Sequence, residues 1–354
     1  MWPQARHSGV PRPTLHDVAR EAGVSARTVS RVLNEEPRIS AETRQRVLAV
    51  VRRLGFRPNA MARNMRVGAR DAAVGLVIPD LGNPFFGTVA SGVEKALRTR
   101  GLHLVIASSE EDPDREHAVI TTLLDRQVAG LIIVPAAGGD YGYLRNERRH
   151  GLPLVFLDRP AVKLAVDTVV SANFEGAVAA VEHLVGYGHR RIGFVGDLPT
   201  TLYTRRERFR GYRCALEAAG IPLDRALIEQ GHHESDAAQA TARLLATRRP
   251  PTAIFAANNL ACMGVLMALV RAHRRDVALV GFDDFSFADL LEPATTVVAQ
   301  DAELLGVRAA ELILSRLDGD RTRARTLTLD TRLIVRGSGE LRPDTPAPAM
   351  LSSA

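Results

Sequence analysis

Short apolar runs alternate with amphipathic stretches from residue 74 to residue 282, and this alternation constrains the fold more than any other feature of the chain. Helical patterns separate most of the runs, for example residues 85–100, which Gly101 ends, and residues 116–127. Strands that alternate with helices predict parallel sheets covered on both faces, and two such sets in tandem predict two lobes. The predicted strands span residues 74–78, 102–107, 130–134, 154–157, 191–195, 253–257 and 277–282.

The positive charge of the chain is concentrated in its first 70 residues. They contain fourteen arginines and five acidic residues, a net charge of +9, whereas the remaining chain carries −3 within a total of +6. A compositional preference for arginine over lysine explains the residue type but not the clustering. Such a block indicates a polyanionic partner.

Several protein classes are excluded by what the sequence lacks. No apolar run reaches the roughly eighteen residues of a membrane helix, and residues 1–13 contain no apolar block of the kind found in secretory signals. Cys214 and Cys262 are too few for a disulfide framework and do not have metal-ligand spacing. We therefore expect a soluble, cytoplasmic protein with no membrane partner, no metal and no cofactor.

Residues 14–34 have the pattern of two short helices joined by a tight turn. Thr14 and Ser25 are good N-caps, Asp17 can return toward the first cap, and Gly23 can supply the positive φ that ends the first helix. The apolar face of the second helix leaves five residues outward: Ala26, Arg27, Ser30, Arg31 and Asn34. A helix that presents arginines from its first turns can enter the major groove of DNA. The alternative is a helical hairpin whose arginines are simply solvated.

Two further segments favour DNA binding over that alternative. From Ser40 a third helix is predicted, and its apolar stripe can close a three-helix core. The stripe consists of Val47, Leu48, Val51 and Leu54. Pro58 then precedes a short arginine-flanked segment with Met65 near its end. Such a segment can form a small helix that inserts an apolar wedge into a minor groove.

At these residues the chain resembles the LacI/GalR (lactose-repressor/galactose-repressor) family of bacterial transcription factors. The resemblance covers nearly all of residues 13–340 and is most specific in residues 14–34 and in Pro58-Asn59-Ala60. It implies an all-α helix-turn-helix headpiece and an α/β core whose two lobes of parallel sheet are like those of periplasmic binding proteins. The implied boundaries are 1–12 for a flexible tail, 13–57 for the headpiece, 58–67 for a hinge helix, 68–73 for a linker, 74–340 for the core and 341–354 for a second flexible tail.

The resemblance also implies roles for individual headpiece residues. Ala26, Arg27 and Arg31 would read base edges in the major groove. The residues that hold phosphates or set the register would be Thr14, Ser25, Thr28, Ser30 and Asn34. Asn59, Ala62 and Met65 would contact DNA from the hinge helix, with Met65 where the family usually has leucine.

Polar residues follow several predicted strands of the core, where ligands bind in open parallel sheets. Asp158, Asn258 and Asp283 each come directly after a strand, and Phe85 and Phe86 follow the first one. Carboxylates, amides and aromatic rings suit a polyol, although aspartate and asparagine also follow strands merely as helix caps. The resemblance implies a larger ligand set: Phe85, Phe86, Asp158, Arg208, His233, Asn258, Asp283 and Gln300. His233 is equally compatible with a structural role in its loop.

These observations predict a transcriptional repressor that acts as a homodimer on a near-palindromic operator. A small ligand in the core, a sugar or sugar derivative, would control the affinity for DNA. One alternative is an exported solute-binding receptor, which would share the two-lobed core but would lack a basic headpiece. The other is a doubly wound enzyme, but the chain has no phosphate-binding loop, nucleophile elbow or zinc-protease motif, so we predict that it is not an enzyme.

Overall fold

The computed structural model describes residues 13–33, 36–37, 39–56, 72–160 and 163–343, which fall into two compact units divided after Asp71. The described part of the first unit contains three helices. They are α1 (Leu15–Ala22), α2 (Ala26–Leu33) and α3 (Ala41–Leu54).

The first two helices begin and end as their sequence predicts. The backbone N–H of Asp17 donates to Thr14 Oγ1 at 3.3 Å, and the carboxylate of Asp17 accepts from the backbone N–H of Thr14 at 2.9 Å, which completes a capping box. Gly23 has a φ of 64°, a conformation that favours glycine, and ends α1. Ser25 Oγ accepts from the N–H of Thr28 at 3.1 Å and caps α2. These contacts confirm the predicted helix-turn-helix geometry.

A small apolar core holds the three helices together, and it corrects two predictions. Its buried members are Val18, Ala19, Ala22, Val29, Val32, Val47 and Val50. Leu48 was expected in the core but is 37% exposed. Positions 47, 50, 51 and 54 lie on one face of α3. Since each residue turns a helix by about 100°, position 48 points away from that face. Ala26 was expected to point outward, but it is only partly exposed and packs against this core.

The second unit consists of two six-stranded sheets with helices on their faces. The strands are β1 (Ala73–Ile78), β2 (His103–Ser108), β3 (Gly130–Ile133), β4 (Leu154–Leu157), β5 (Asp167–Ser171), β6 (Ile192–Gly196), β7 (Ile228–Gln230), β8 (Ala253–Ala256), β9 (Ala278–Phe282), β10 (Thr296–Ala299), β11 (Thr326–Leu329) and β12 (Arg332–Ile334). The helices are α4 (Pro84–Arg98), α5 (Pro113–Asp125), α6 (Leu144–Arg149), α7 (Asn173–Gly186), α8 (Tyr203–Ala218), α9 (Glu234–Leu245), α10 (Asn259–Arg271) and α11 (Ala302–Leu317), with a 3-10 turn at Arg225–Leu227.

Each sheet forms one lobe, which confirms the predicted two-lobed α/β core. The first sheet has the order β11-β5-β4-β3-β1-β2 and is parallel throughout. The second has the order β12-β10-β9-β8-β6-β7, in which only the edge strand β12 runs antiparallel. All seven predicted strands are present within one or two residues of their expected bounds.

The chain crosses between the lobes three times, after β5, β10 and β11. Helix α11 returns to the first lobe, where its buried face packs beside that of α4. Two expected boundaries shift by one residue. Ala73 was placed in the linker but is buried in β1, and Leu341 was placed in the tail but packs against the second lobe, where its carbonyl accepts from buried His189. The predicted tail at 1–12, the hinge helix at 58–67 and residues 344–354 of the predicted tail at 341–354 lie outside the described residues.

Two glycines allow α4 and α11 to touch backbone to backbone. A Cβ on Gly92 would lie 2.1 Å from the carbonyl oxygen of Glu303, and a Cβ on Gly306 would lie 2.1 Å from that of Val89. Neither neighbour is a flexible side chain, so an added methyl group would force the helices apart. Gly87 on the same helix α4 is exposed and has no atom within 4 Å of its Cβ position.

We predict opposite effects for the same substitution at two positions on α4. Gly92→Ala should lower the free energy of unfolding by about 1–3 kcal/mol because of overpacking. Gly87→Ala should raise it by roughly 0.5–1 kcal/mol because alanine favours a helix. Chemical denaturation measures both. Equal changes in the two variants would contradict the backbone contact between α4 and α11.

Candidate functional site

The two arginines of α2 that are predicted to read bases differ in exposure. Arg27 is exposed, whereas Arg31 is partly buried and donates from Nε to Glu36 Oε2 at 2.9 Å. Ser30 is also partly exposed on this helix. The helix therefore offers guanidinium groups on the side away from the headpiece core, as a helix in a major groove requires.

The predicted phosphate-contacting residues lie around the first turns of α1 and α2. The hydroxyl of Thr14 donates to Asp17 Oδ2 at 2.7 Å, and Ser25 and Thr28 share a hydroxyl contact of 2.9 Å. Helix N-termini present free N–H groups and attract anions, so this placement suits phosphate oxygens. Four other predicted contacts lie outside the described residues: Asn34, Asn59, Ala62 and Met65.

A cleft of about 420 Å³ lies between the carboxyl ends of the two sheets of the core. It is lined by all eight residues predicted to hold a ligand: Phe85, Phe86, Asp158, Arg208, His233, Asn258, Asp283 and Gln300. Other residues outside the predicted ligand set also line it, among them Asp80, Asn83, Glu110, Glu111, Arg159, Asp197, Thr204, His232 and Asn259. Arg159 and Asn259 directly follow Asp158 and Asn258 at the ends of predicted strands, so the strand-end rule points to them as well.

Each lobe contributes one buried aspartate with a left-handed backbone. Asp158 follows β4 with a φ of 63°, and Asp283 follows β9 with a φ of 69°. The backbone N–H of each still donates to the neighbouring strand, at 2.8 Å to Val169 and at 2.9 Å to Val298. Aspartate tolerates this conformation better than most residues do. The turn brings both carboxylates to the cleft.

Arg208 is the central cation of the second lobe. Its Nε donates to Asn173 Oδ1 at 2.7 Å and its Nη1 to the carbonyl of Ala257 at 2.6 Å, while Asp283 Oδ2 lies 3.5 Å from Nη1. The guanidinium group also lies over the ring of Phe282, 3.8 Å from its centroid. Among the described residues Nη2 has no hydrogen-bond partner, so this N–H pair remains available at the wall of the cleft.

Arg159 is the corresponding cation of the first lobe. It forms a bidentate pair with Glu111 at 2.6 and 2.9 Å and donates to the carbonyl of Pro135 at 2.8 Å. Its Nε lies 3.5 Å from Asp158 and has no hydrogen-bond partner among the described residues. Burial raises the pKa of Asp158, and the positive charges of Arg159 and Arg208 oppose that rise.

Two predicted ligand residues also act as helix caps. Asn258 Oδ1 accepts from the N–H of Ala261 at 2.7 Å and caps α10. His233 is exposed at the start of α9, where its N–H donates to Asp236 at 3.3 Å. The neighbouring His232 is partly buried and bonds to Asp197 Oδ1 at 2.9 Å. The side-chain oxygen of Asn258 therefore has the role of a helix cap, as the alternative interpretation of this residue predicts.

A reciprocal amide pair joins the two lobes at the cleft. Asn259 Nδ2 donates to Asn83 Oδ1 at 2.8 Å, and Asn83 Nδ2 donates back at 3.4 Å. Asn83 caps α4 of the first lobe, and Asn259 is the buried first residue of α10 in the second. The pair therefore links the two helix starts directly.

Aromatic rings and an unpaired acceptor complete the cleft. Phe85 and Phe86 pack edge to face with centroids 5.2 Å apart. Gln300, on the second crossing between the lobes, donates to Asp283 Oδ1, while its Oε1 is buried with no partner among the described residues. Ring faces next to polar donors and acceptors are typical of sites for small polar ligands.

The described residues show neither a metal centre nor a membrane span. Nowhere among them do three or more histidine, cysteine, aspartate or glutamate side chains form a group that could hold a metal ion. In the same part of the chain, no helix is both long enough and apolar enough to cross a membrane.

Two family models match the chain in the order that its two units suggest. The model for bacterial regulatory proteins of the lacI family matches residues 14–59, and the model for a periplasmic binding protein-like domain matches residues 181–339.

Curated relatives match nearly the whole chain. The chain is 33% identical over 333 residues to the HTH-type transcriptional regulator DegA of Bacillus subtilis, covering 92% of this chain and 98% of DegA. It is 35% identical to the regulator CelR of Thermobifida fusca, with 93% and 98% covered, and 31% identical to the ribose operon repressor of Haemophilus influenzae, with 92% and 98% covered. These relatives are regulators and not enzymes, so the enzyme alternative is wrong.

Solved structures agree with this match. The lac repressor dimer bound to operator and the anti-inducer ONPF has a TM-score of 0.78 and 26% identity, with 92% of this chain and 99% of that chain covered. The CelR–cellobiose complex has a TM-score of 0.69 and 32% identity, with 92% and 100% covered.

The bond between Asp197 and His232 predicts a measurable protonation change in the cleft. The hydrogen bond to Asp197 raises the pKa of His232 above its ordinary value of 6.5, against the opposing effect of burial. Asp197→Asn should lower that pKa, which NMR titration of the imidazole signals measures. Because a raised folded-state pKa stabilises the protonated form, the stability lost in the variant should be largest below pH 6.5 and should shrink as the pH rises through the folded-state pKa. An unchanged His232 titration in the variant would contradict this assignment.

Proposed function

Because this chain belongs to the lacI family of bacterial regulatory proteins, we propose that it is a dimeric repressor that binds a near-palindromic operator and is controlled by an uncharged carbohydrate. The observation that carries the proposal is the combination of an arginine-presenting headpiece with a separate core whose two lobes enclose a polar cleft. The proposed domain boundaries are those of the sequence analysis, with the core extended to residues 73–341.

The DNA-binding part of the proposal assigns distinct tasks to the headpiece side chains. Arg27 and Arg31 read bases from α2, while Thr14, Ser25, Thr28 and Ser30 bind or orient phosphates, which position the helix without specifying sequence. Ala26 contacts the groove with its exposed part. Asn34 completes this surface, and Asn59, Ala62 and Met65 contact the minor groove from the hinge helix at 58–67. The net charge of +9 in residues 1–70 would make the affinity fall steeply with salt.

The dimeric part of the proposal is supported by exposed apolar residues on the core. Strand β2 is an edge strand, and Val105 and Ile106 are 36% and 41% exposed on it. Phe287 and Leu290 are 65% and 75% exposed in the segment between β9 and β10. Open edges and exposed apolar groups of this kind are typical of surfaces that another chain covers. A symmetric dimer would present two headpieces to two operator half-sites.

The charge of the cleft favours a neutral ligand. Six carboxylates line it (Asp80, Glu110, Glu111, Asp158, Asp197 and Asp283), against the two arginines Arg159 and Arg208. Arg159 is already bound by Glu111, and Arg208 has only Nη2 left, since Asn173 and the carbonyl of Ala257 bind its Nε and Nη1. A phosphate or acid group would therefore meet repulsion, whereas hydroxyl groups could donate to the carboxylates. Phe85 and Phe86 would pack against the C–H face of a sugar ring.

Relatives support a carbohydrate ligand without identifying it. One curated relative is named a ribose operon repressor, and one structural relative is a complex with cellobiose. A ligand that contacts both lobes would change their separation, and this change would reach the hinge helices that precede the core.

Arg31→Ala tests the DNA-binding part. We expect weaker operator binding by about 1–3 kcal/mol and a relaxed preference at one base pair, because a bidentate contact to guanine is lost. Fluorescence anisotropy with the operator, its single-base variants and a random duplex measures both effects. Equal losses on operator and random DNA would reassign Arg31 to a phosphate.

A matched ligand series tests the effector part. Neutral sugars such as glucose, ribose and cellobiose should include one that raises the melting temperature of the full chain, since binding to the native state stabilises it. The anionic counterparts gluconate and glucose 6-phosphate should have no effect at equal concentration and ionic strength. Stabilisation by an anion and not by its neutral parent would overturn the proposed effector class.

A further inference from the structure

The loop that follows the reading helix binds the guanidinium group of Arg31. Arg31 Nε donates to Glu36 Oε2 at 2.9 Å, and Nη2 makes a long contact of 3.4 Å with the carbonyl of Pro37. The backbone N–H of Glu36 donates to the carbonyl of Arg31 at 3.0 Å. The loop thus turns back onto the last turn of α2 and brings a carboxylate to the proposed base-reading side chain.

The backbone that carries this carboxylate is itself held in place. Arg44 of α3 donates from Nη2 to the carbonyl oxygen of Glu36 at 3.2 Å. Glu36 is therefore linked to two helices of the headpiece rather than only to Arg31. A side chain on an anchored backbone can orient its partner more precisely than one on an unrestrained loop.

The Glu36 bond selects one of two ways in which Arg31 could read guanine. A guanidinium group can present either Nε with Nη2 or the two Nη atoms to a pair of acceptors. Because Nε is bound to Glu36 and one N–H of Nη2 faces Pro37, the second N–H of Nη2 and those of Nη1 remain for the O6 and N7 acceptors of guanine. The contact fixes the plane of the group as well, which lowers the entropy that Arg31 loses on binding.

The same carboxylate affects binding to every DNA sequence. Glu36 is one of five acidic residues among fourteen arginines in residues 1–70, and its side chain is 46% exposed. Next to a phosphate backbone it repels, whichever bases the duplex contains. The orientation of Arg31, by contrast, strengthens binding only to a duplex that has a guanine at the correct position.

We propose that Glu36 is a positioning residue for Arg31 that raises the preference for operator over random DNA, an inference that rests on the proposed function. Its charge lowers the affinity for every duplex, and its orientation of Arg31 raises the affinity for the operator alone.

The test compares Glu36→Gln with a matched control, Glu21→Gln. Glu21 is also a paired headpiece acid, 2.8 Å from Arg53, and its removal changes the net charge by the same amount. The operator is first obtained by in vitro selection with the full chain. Fluorescence anisotropy then gives the affinities of the parent protein and both variants for operator and random duplexes at several salt concentrations.

We expect the ratio of operator to random affinity to fall roughly two- to fivefold in Glu36→Gln, the range of an exposed ion pair, and to stay constant in Glu21→Gln. In an Arg31→Ala background, Glu36→Gln should leave the ratio unchanged. Partial unfolding of the headpiece would lower both affinities together, so the ratio separates positioning from a structural role.

Equal changes in the two glutamine variants, or a full effect in the Arg31→Ala background, would overturn the role of Glu36. Failure of the selection to enrich any sequence would instead overturn the proposed function itself. An unchanged operator affinity in Arg31→Ala would remove the base-reading role of Arg31 and, with it, this inference.

Discussion

The core depends on one constraint: the carboxyl ends of two parallel sheets face each other, and three crossings of the chain hold them there. Residues at the crossings also reach the cleft. Gln300 lies on the second crossing and bonds to Asp283, and Asn173 directly follows the first crossing and bonds to Arg208. A ligand that binds Asp283 or Arg208 would therefore contact side chains that are hydrogen-bonded to residues at the crossings between the lobes.

The buried charges of the cleft are weak contributors to the stability of the fold. Removing a carboxylate and a guanidinium group from water costs several kcal/mol per ion, which good geometry only partly returns. Arg159 and Glu111 form such a pair. The Nε of Arg159 and the Oε1 of Gln300 are buried without a hydrogen-bond partner in the described part of the chain, which is a further cost. A concentration of costly polar groups in one cavity is typical of a site selected for binding rather than for stability.

The parts of this molecule that the sequence predicts are those specified by local chemistry. Thr14, Gly23 and Ser25 act through their own backbone neighbours, so their roles follow from residue type and spacing. The seven predicted strands are predominantly apolar runs, in which only His103 and Arg191 are polar. Strand β5 was missed because it begins with Asp167, whose burial depends on a distant bond from Arg316, and β11 was missed because its pattern of threonine and leucine is also typical of an exposed loop.

The candidate site was predicted in outline for a different reason. All eight expected residues line the cleft. Asp158, Asn258 and Asp283 are predictable because parallel topology brings strand ends together. Arg208, His233 and Gln300 were implied only by the family resemblance. Sequence alone could not show that the side-chain oxygen of Asn258 accepts a helix-capping hydrogen bond, or that His232 rather than His233 bonds to Asp197. Nor could it pair Asn83 with Asn259, which lie 176 positions apart in the chain. These contacts exist only once the two lobes are folded.

The proposed control of DNA binding by the cleft is then a question of differential affinity. A ligand can shift the lobes only by the difference between its binding free energies for their two arrangements, however tightly it binds either one. Contacts confined to one lobe would contribute nothing to that difference. The cleft instead offers Asp158 from the first lobe and Arg208 and Asp283 from the second, with the pair Asn83–Asn259 formed between the lobes. A small polyol that bridges these groups would therefore bind the two arrangements unequally, which is the physical requirement for an effector.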